Sequence, residues 1–204
     1  MRAISEEEAR KYLTPHLNKL ILTVVESVND YFNGLRYAAV RHEHSLRTSA
    51  SVCHDKIKRS VENAFDGVPG TYYRTHRGLF TLVIDGAIAL RFKKFNRKNL
   101  SVGIETQQLL AFNNQDVEQL EFPDMPPNGL LHIGYRLNKL ETGIGGVYVS
   151  CRHGNNNLWI WDITEEGTTT TEHVLIPHPE VNVPSRRKIT AKGANIGGGE
   201  VNAN

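Results

Sequence analysis

The sequence predicts an α+β domain, in which N-terminal helices pack on a mixed or antiparallel sheet of about five strands, with one further helix inserted among the strands. Through most of the first 65 residues, apolar residues recur every three or four positions, the spacing of amphipathic helices. Strand-like segments then dominate residues 79–163, and a single helical segment interrupts them. A chain of 204 residues is long enough for one such domain with a substantial core.

Two helices are predicted at the start of the chain and a third further on. Ser5 and Glu8 have the spacing of a capping box, which predicts a short first helix. A longer amphipathic helix follows and ends at Asn33-Gly34. The third helix is predicted over residues 44–65, where one apolar stripe runs beside a polar face.

A β-hairpin is predicted next, with strands at 79–84 and 87–95. The dipeptide between them, Asp85-Gly86, is typical of a two-residue type I′ turn, in which both residues have positive φ. The first strand is apolar on both faces, which favours a position inside the sheet. The second strand alternates, so that its two faces differ. One face carries Ile88, Leu90 and Phe92, and the other carries Ala87, Ala89, Arg91 and Lys93.

The remaining pattern predicts a helix within residues 104–120 and strands at 130–138, 145–152 and 157–163. We therefore divide the chain into N-terminal helices (1–35), an α+β core (36–165) and a tail (166–204). The tail is rich in Pro, Gly and Asn and contains a basic clump, so we expect it to be flexible.

Charge is distributed unevenly within the predicted core. Residues 36–98 contain 13 lysines and arginines against 5 acidic residues, whereas residues 99–180 contain 3 against 11. We accordingly separate a basic part (36–98) from an acidic part (99–165). The basic part is a candidate for binding nucleic acid or another polyanion, although the two parts could instead pair with each other inside one fold.

Several classes of protein are disfavoured by what the sequence lacks. No apolar run approaches the roughly 20 residues of a membrane helix, and the polar, acidic N-terminus is not typical of a secretory signal. Cys53 and Cys151 lie far apart, which indicates free thiols in a reducing compartment. Walker, Rossmann and zinc-ligand patterns are missing. We expect a cytoplasmic protein with no membrane segment, no metal site and no cofactor.

The strongest candidate for a binding surface is the end of the second hairpin strand. Clustered lysines and arginines displace counterions from a nucleic-acid backbone, and the interleaved Phe92 and Phe95 could stack on bases if exposed. The alternative is a sheet edge protected by charge against aggregation. The basic residues of this segment are Arg91, Lys93, Lys94, Arg97 and Lys98.

A second candidate lies on the polar face of the third helix. A histidine flanked by arginine and lysine can perform acid–base chemistry on phosphate esters without a metal, so His54, His44 and Arg47 are candidate catalytic residues. The alternative is an ordinary solvated helix face. The row itself contains Arg47, Ser51, His54, Lys58 and Glu62. We expect this row and the strand residues Arg91 and Lys93 to line one positive cleft, with Ala87 and Ala89 as its floor.

The order of elements also resembles the metal-dependent nuclease fold of the PD-(D/E)xK type. The matching positions would be Glu62, Asp85, Lys93 and Gln108. However, Arg91 stands where that family has an acid, and Asp85 is assigned to a turn, so the resemblance implies a degenerate fold without that metal chemistry.

Five segments together resemble a poorly characterised bacterial family associated with toxin–antitoxin or phage-defence gene pairs. They are RTSASVCHD, LRFKKFN, TQQLLAF, GYRLN and LWIWDI, and the similarity covers residues 42–163. The resemblance implies a bacterial effector that works beside a cognate protein partner, an antitoxin or regulator, and it assigns no catalytic residues.

These observations predict a cytosolic effector, the toxin or partner-regulated component of such a pair, that acts on nucleic acid through a basic cleft. The nucleic-acid-binding residues would be Arg47, His54, Lys58, Arg91, Lys93, Lys94, Arg97 and Lys98. Two alternatives stay open: a metal-independent RNase, and a non-catalytic protein-interaction module, including one with a degenerate nuclease-like fold.

Overall fold

The computed structural model of the protein describes residues 3–115, 126 and 129–166. The helices in these ranges are α1 (Glu6–Leu13), α2 (Leu17–Asn33), α3 (Leu35–Ala38), α4 (Leu46–Phe65) and α5 (Gln107–Asn113), with 3₁₀ turns at Thr14–His16 and Arg41–Glu43. The strands are β1 (Thr71–His76), β2 (Leu79–Ile84), β3 (Ile88–Phe95), β4 (Leu130–Leu137), β5 (Ile144–His153) and β6 (Asn156–Asp162). The α+β class is confirmed. The predicted tail, beyond its first residue, lies outside the described residues.

All six of these strands form one sheet in the order β1-β2-β3-β4-β5-β6. Neighbours are antiparallel except for β3 and β4, which are parallel. Parallel neighbours need a crossover connection, and α5 lies in that connection. The sheet therefore has one strand more than predicted. The missed strand, β1, is a polar edge strand with no buried residue, so its sequence carries little apolar alternation.

The hairpin turn has the predicted backbone conformation, but the connection is one residue longer than predicted, because Ile84 pairs with Ile88 and not with Ala87. Asp85 and Gly86 have φ of 50° and 61°. The N–H of Ala87 donates to the carbonyl of Ile84 at 3.0 Å, which closes the turn. The positive φ of both residues and this hydrogen bond confirm the type I′ prediction.

One face of the sheet packs on α2 and α4 and forms the larger core. Leu20 and Val24 of α2 are fully buried there, together with Ile57 of α4 and Phe92 of β3. Polar contacts attach α1 to β6, because the indole N–H of Trp159 donates to the carbonyl of Ile4 at 2.8 Å. The N-terminal helices and the sheet thus share a single core. The described residues form one compact unit, which contains residues of both the basic and the acidic part of the sequence.

The opposite face of the sheet carries a smaller core beneath α5. Ala89 is fully buried in it beside Phe112. The remaining members are Leu79, Val83, Ala111 and Leu130. Ala89 was expected to form the floor of an open cleft, and that expectation is wrong. Ala87, the other predicted floor residue, precedes β3 and packs against the larger core, so it does not share the face of Ala89. Alternation within β3 correctly separated Phe92 from Arg91, but it could not predict that α5 covers the face of Ala89.

Candidate functional site

A cleft with a volume of about 740 Å³ lies at the carboxyl ends of β3 and β4. Its walls are the first half of α4 on one side and residues 96–104, which follow β3, on the other. The parallel pairing of β3 and β4 brings these two strand ends together. A volume of this size is typical of sites for small molecules or for single units of a polymer.

The cleft is predominantly basic. Two acidic residues, Asp55 and Glu141, also line it. The basic side chains come from α4, from β3 and the loop after it, and from β4; they are Arg47, Lys93, Lys94, Arg97 and Arg136. Positive charge concentrated in a concave, partly apolar site attracts anions more strongly than the same charge on an open surface.

The apolar part of the cleft divides into a buried wall and an exposed rim. Phe92 and Phe95 belong to the wall, and each is only 1% exposed. The expectation that these rings stack on bases is therefore wrong, because their faces are occupied by the core. Leu46, Val102 and Ile104 are exposed at the rim, where they could contact an apolar part of a ligand.

His54 and Lys93 are two basic residues of the cleft whose pKa values are lowered by their surroundings. Burial lowers the pKa of His54, and the charge of Lys93 lowers it further, although a hydrogen bond to the main chain of Phe92 acts in the opposite direction. Burial also lowers the pKa of Lys93 to about 8, with a contribution from Arg91. At neutral pH, His54 is thus uncharged and Lys93 is mostly protonated. Such a pair, with perturbed pKa values in one cleft, is a candidate for proton transfer.

The structure brings together five of the eight predicted nucleic-acid-binding residues. Along the cleft lie Arg47, His54, Lys93, Lys94 and Arg97. Lys58, Arg91 and Lys98 are not part of its lining. The Nζ atom of Lys58 lies 3.8 Å from Oε1 of Glu62 and over the ring of Phe80. Arg91 is covered by α5, with its guanidinium 5.1 Å from the ring centre of Phe112, and Lys98 is exposed in the turn after β3.

The second catalytic candidate, His44, lies outside the cleft. Its Nδ1 is 3.0 Å from the hydroxyl of Tyr31, and the two rings are stacked. The Tyr31 hydroxyl in turn donates to Ser49 at 2.8 Å. His44 lines an adjacent cavity of about 360 Å³, and ten residues separate it from His54, about 15 Å at helical rise, which is too far for both to act on one bond.

The geometry does not bring together the residues matched to the metal-dependent nuclease. Asp85 is in the hairpin turn, whereas Lys93 lies five residues beyond the start of β3, about 17 Å further along the strand. Within the described ranges, no group of three or more His, Cys, Asp or Glu side chains could hold a metal ion.

Sequence reasoning missed Arg136, which lines the cleft from β4. Its Cα is paired with that of Phe95 through the parallel register. Its guanidinium donates to the side chain of Asn99 at 2.6 Å and lies over the ring of Tyr148. The helix predicted between β3 and β4 is typical of a parallel crossover, and that signal could have pointed to the end of β4.

No family model, curated protein or solved structure matches this chain. None of the helices in the described part of the chain is both long and apolar enough to cross a membrane.

Proposed function

We propose that the protein is an effector that binds single-stranded nucleic acid in the basic cleft. The observation that carries this proposal is the convergence of five arginines and lysines from three chain segments on one concave site. Phosphate groups are the anions that such clusters bind in nucleic acids. A concave site favours an unpaired strand over a duplex, because a splayed nucleotide can enter a pocket and a base pair cannot.

Charge reversal at Arg47 tests the proposal. Arg47 is an exposed residue of α4 that lines the cleft. Arg47→Glu should weaken binding of a mixed single-stranded oligonucleotide by about tenfold or more, and wild-type affinity should fall steeply as salt rises. Fluorescence anisotropy at several salt concentrations measures both effects.

Arg59→Glu is the matched control, because Arg59 is exposed on the same helix but is not part of the cleft. Equal losses in the two variants would indicate a general effect of net charge. An affinity that does not change with salt would contradict the proposal.

The resemblance to toxin–antitoxin and phage-defence families supports a further part of the proposal, that the effector acts beside a cognate protein partner. Isolation of the tagged protein from its native host, with protein and nucleic acid identified separately, tests it. The Arg47→Glu variant distinguishes the two interactions, since a partner bound elsewhere should be retained when nucleic acid is lost.

A metal-independent RNase is the second candidate, favoured by the position of His54 and Lys93 in one cleft. Neutral His54 would accept the proton of a 2′-hydroxyl, whose oxygen attacks the adjacent phosphorus. Protonated Lys93 would give a proton to the leaving 5′-oxygen, so that the strand is cleaved to a 2′,3′-cyclic phosphate.

RNA cleavage in the presence of EDTA tests this candidate. Activity should persist with the chelator, disappear in His54→Ala and decline above about pH 8 as Lys93 loses its proton. His44→Ala should retain activity, because that side chain lies outside the cleft. Activity in His54→Ala equal to that of the wild type would exclude the mechanism.

A further inference from the structure

A second group of cations lies beneath α5, outside the lining of the cleft. It is built from adjacent strands of the sheet: Arg91 of β3 is paired in register with His132 of β4, and His132 with Ser150 of β5. Arg152, also on β5, completes it. These four residues are called the buried cluster. His132 and Ser150 are fully buried, and Arg152 is 7% exposed.

Each residue of the buried cluster has a polar atom with no hydrogen-bond partner. The atoms are Nη1 of Arg91, Nε2 of His132, Oγ of Ser150 and Nε of Arg152. Other atoms of the cluster are satisfied: Nη1 of Arg152 donates to both Oγ and the carbonyl of Ser101 at 3.0 Å, and Nη2 donates to the carbonyl of Gly154. The atoms without a hydrogen-bond partner are thus particular atoms of each side chain, and three of the four are nitrogens.

Within the described residues, direct ion pairs do not compensate the positive charge of the buried cluster, although the carboxylate of Glu105 acts electrostatically on Arg152. Neither Arg91 nor Arg152 forms an ion pair with a carboxylate of the described residues. Burial lowers the pKa of Arg91 to about 10, and no acidic group acts on it in the other direction. Covering a guanidinium that has no ion pair is unfavourable, and unpaired buried polar atoms add to that cost.

We propose that the buried cluster is a binding site for a phosphate-type oxyanion, in addition to the cleft and independent of what the cleft binds. A tetrahedral oxyanion carries two negative charges and several acceptor oxygens, which match the charge of Arg91 and Arg152 and the free hydrogen-bonding capacity of Ser150 and His132. A carboxylate would satisfy fewer of these groups.

The structure also indicates how an anion would reach the site. Phe112 of α5 covers it, with its ring centre 5.0 Å from that of His132 and 5.1 Å from the guanidinium of Arg91. Residues 102–106, which lead into α5, form no helix or strand and are exposed. An anion therefore enters only when this segment and the seven-residue α5 open, so that association should be far slower than diffusion.

Thermal unfolding in inorganic phosphate, with chloride at equal ionic strength as reference, tests the proposal. The midpoint of the wild type should rise with phosphate concentration, since the anion binds only the folded state. In Arg91→Met, phosphate affinity should fall about tenfold or more. Without phosphate this variant should be at least as stable as the wild type, because it removes an uncompensated buried charge.

Ser150→Ala and Arg97→Gln complete the experiment. Ser150→Ala removes one hydroxyl with little change of volume and should weaken the phosphate effect even if Arg91→Met fails to fold. Arg97→Gln, which changes a residue of the cleft, should leave the stabilisation by phosphate unchanged. The proposal would be overturned if Arg97→Gln abolished the stabilisation by phosphate and Ser150→Ala did not. It would also be overturned if phosphate did not stabilise the wild type.

Adenosine monophosphate separates the two possible sources of the oxyanion. If free phosphate is the ligand, the nucleotide should stabilise the protein less than phosphate does, because the site is closed around the anion. If a phosphate ester is the ligand, the nucleotide should be the stronger stabiliser and Arg91→Met should abolish its effect. In either case failure of oligonucleotide binding in the cleft would leave this site unaffected.

Discussion

At the scale of single residues, Lys93 determines most of the electrostatics of the candidate site. It lies in the cleft beside His54 and next to Arg91, and its half-buried ammonium group is poorly hydrated. That burial, more than the repulsion by Arg91, lowers its pKa to about 8. A lysine with such a pKa can lose its proton near physiological pH, which an exposed lysine cannot.

The lowered pKa predicts a pH-dependent stability. Because the folded state releases the Lys93 proton near pH 8 and the unfolded state near 10.5, the unfolded state binds more protons between these values. The free energy of unfolding contributed by Lys93 should therefore rise between pH 8 and 10.5, and below pH 8 its unfavourable effect is fully present. Lys93→Met should be more stable than the wild type by about 1 kcal/mol or more at pH 7, and this advantage should shrink at pH 10.

Urea denaturation of the wild type and of Lys93→Met at both pH values measures this difference, and the other titrating groups cancel in the comparison. Lys94→Met serves as control, because Lys94 is the next residue of β3 and also lines the cleft. A Lys93→Met advantage that is the same at pH 7 and pH 10 would show that the lysine is well hydrated and its pKa ordinary.

At the scale of elements, the β2–β3 hairpin sets the orientation of the basic strand. Its three-residue connection, Asp85 to Ala87, fixes the register in which Ile84 pairs with Ile88. A shift by one residue would exchange the faces of β3, moving Phe92 out of the larger core and Lys93 into it. The turn thus determines on which side of the sheet each charge of β3 lies.

Gly86→Ala should destabilise the protein by about 1 kcal/mol, since a Cβ disfavours its φ of 61° although no neighbouring atom lies within 4 Å. Gly143→Ala is the control, because that glycine lies in a loop, does not have positive φ and has only ordinary contact distances around it. Chemical denaturation measures both. Equal stability of the two variants would mean that the turn does not have type I′ geometry in solution.

At the scale of the whole molecule, the sheet separates two cores of unequal size. The larger one unites α1, α2 and α4 with β2 to β6, and the smaller one lies beneath α5. The cleft lies at the strand ends where α4 and the segment before α5 face each other. Its shape therefore depends on both sides of the sheet, although its charge comes largely from β3 and the loop after it.

The shared core predicts that the N-terminal helices are needed for folding of the sheet. Leu13→Ala, at a fully buried position of α1, should reduce the free energy of unfolding by about 2–5 kcal/mol. Leu35→Ala should change it little, because Leu35 is 91% exposed. Unfolding followed by tryptophan fluorescence, which reports on β6, measures both variants. A loss of helix content before any change in this fluorescence would contradict a single cooperative core.

The sequence by itself determined the elements that depend on local physics. Periodicity predicted the long helices and five of the six described strands, and Asp85-Gly86 predicted the turn type, because helix spacing, strand alternation and positive φ are properties of neighbouring residues. The same alternation correctly assigned Phe92 to one face of β3 and Arg91 to the other. The sequence also predicted most of the positive charge of the cleft, since Lys93, Lys94 and Arg97 lie close together in the chain.

Only the tertiary structure decided which of those faces are covered and which strand ends meet. The position of α5 made Ala89 part of a core and buried Arg91, and the parallel pairing of β3 with β4 placed Arg136 in the cleft. The larger core removed the ring of Phe92 from solvent, and Phe95 is buried with its ring centre 6.1 Å from that of Tyr148. A strand pattern determines which side chains share a face, but coverage and strand order depend on contacts between residues distant in the chain, which local periodicity does not encode.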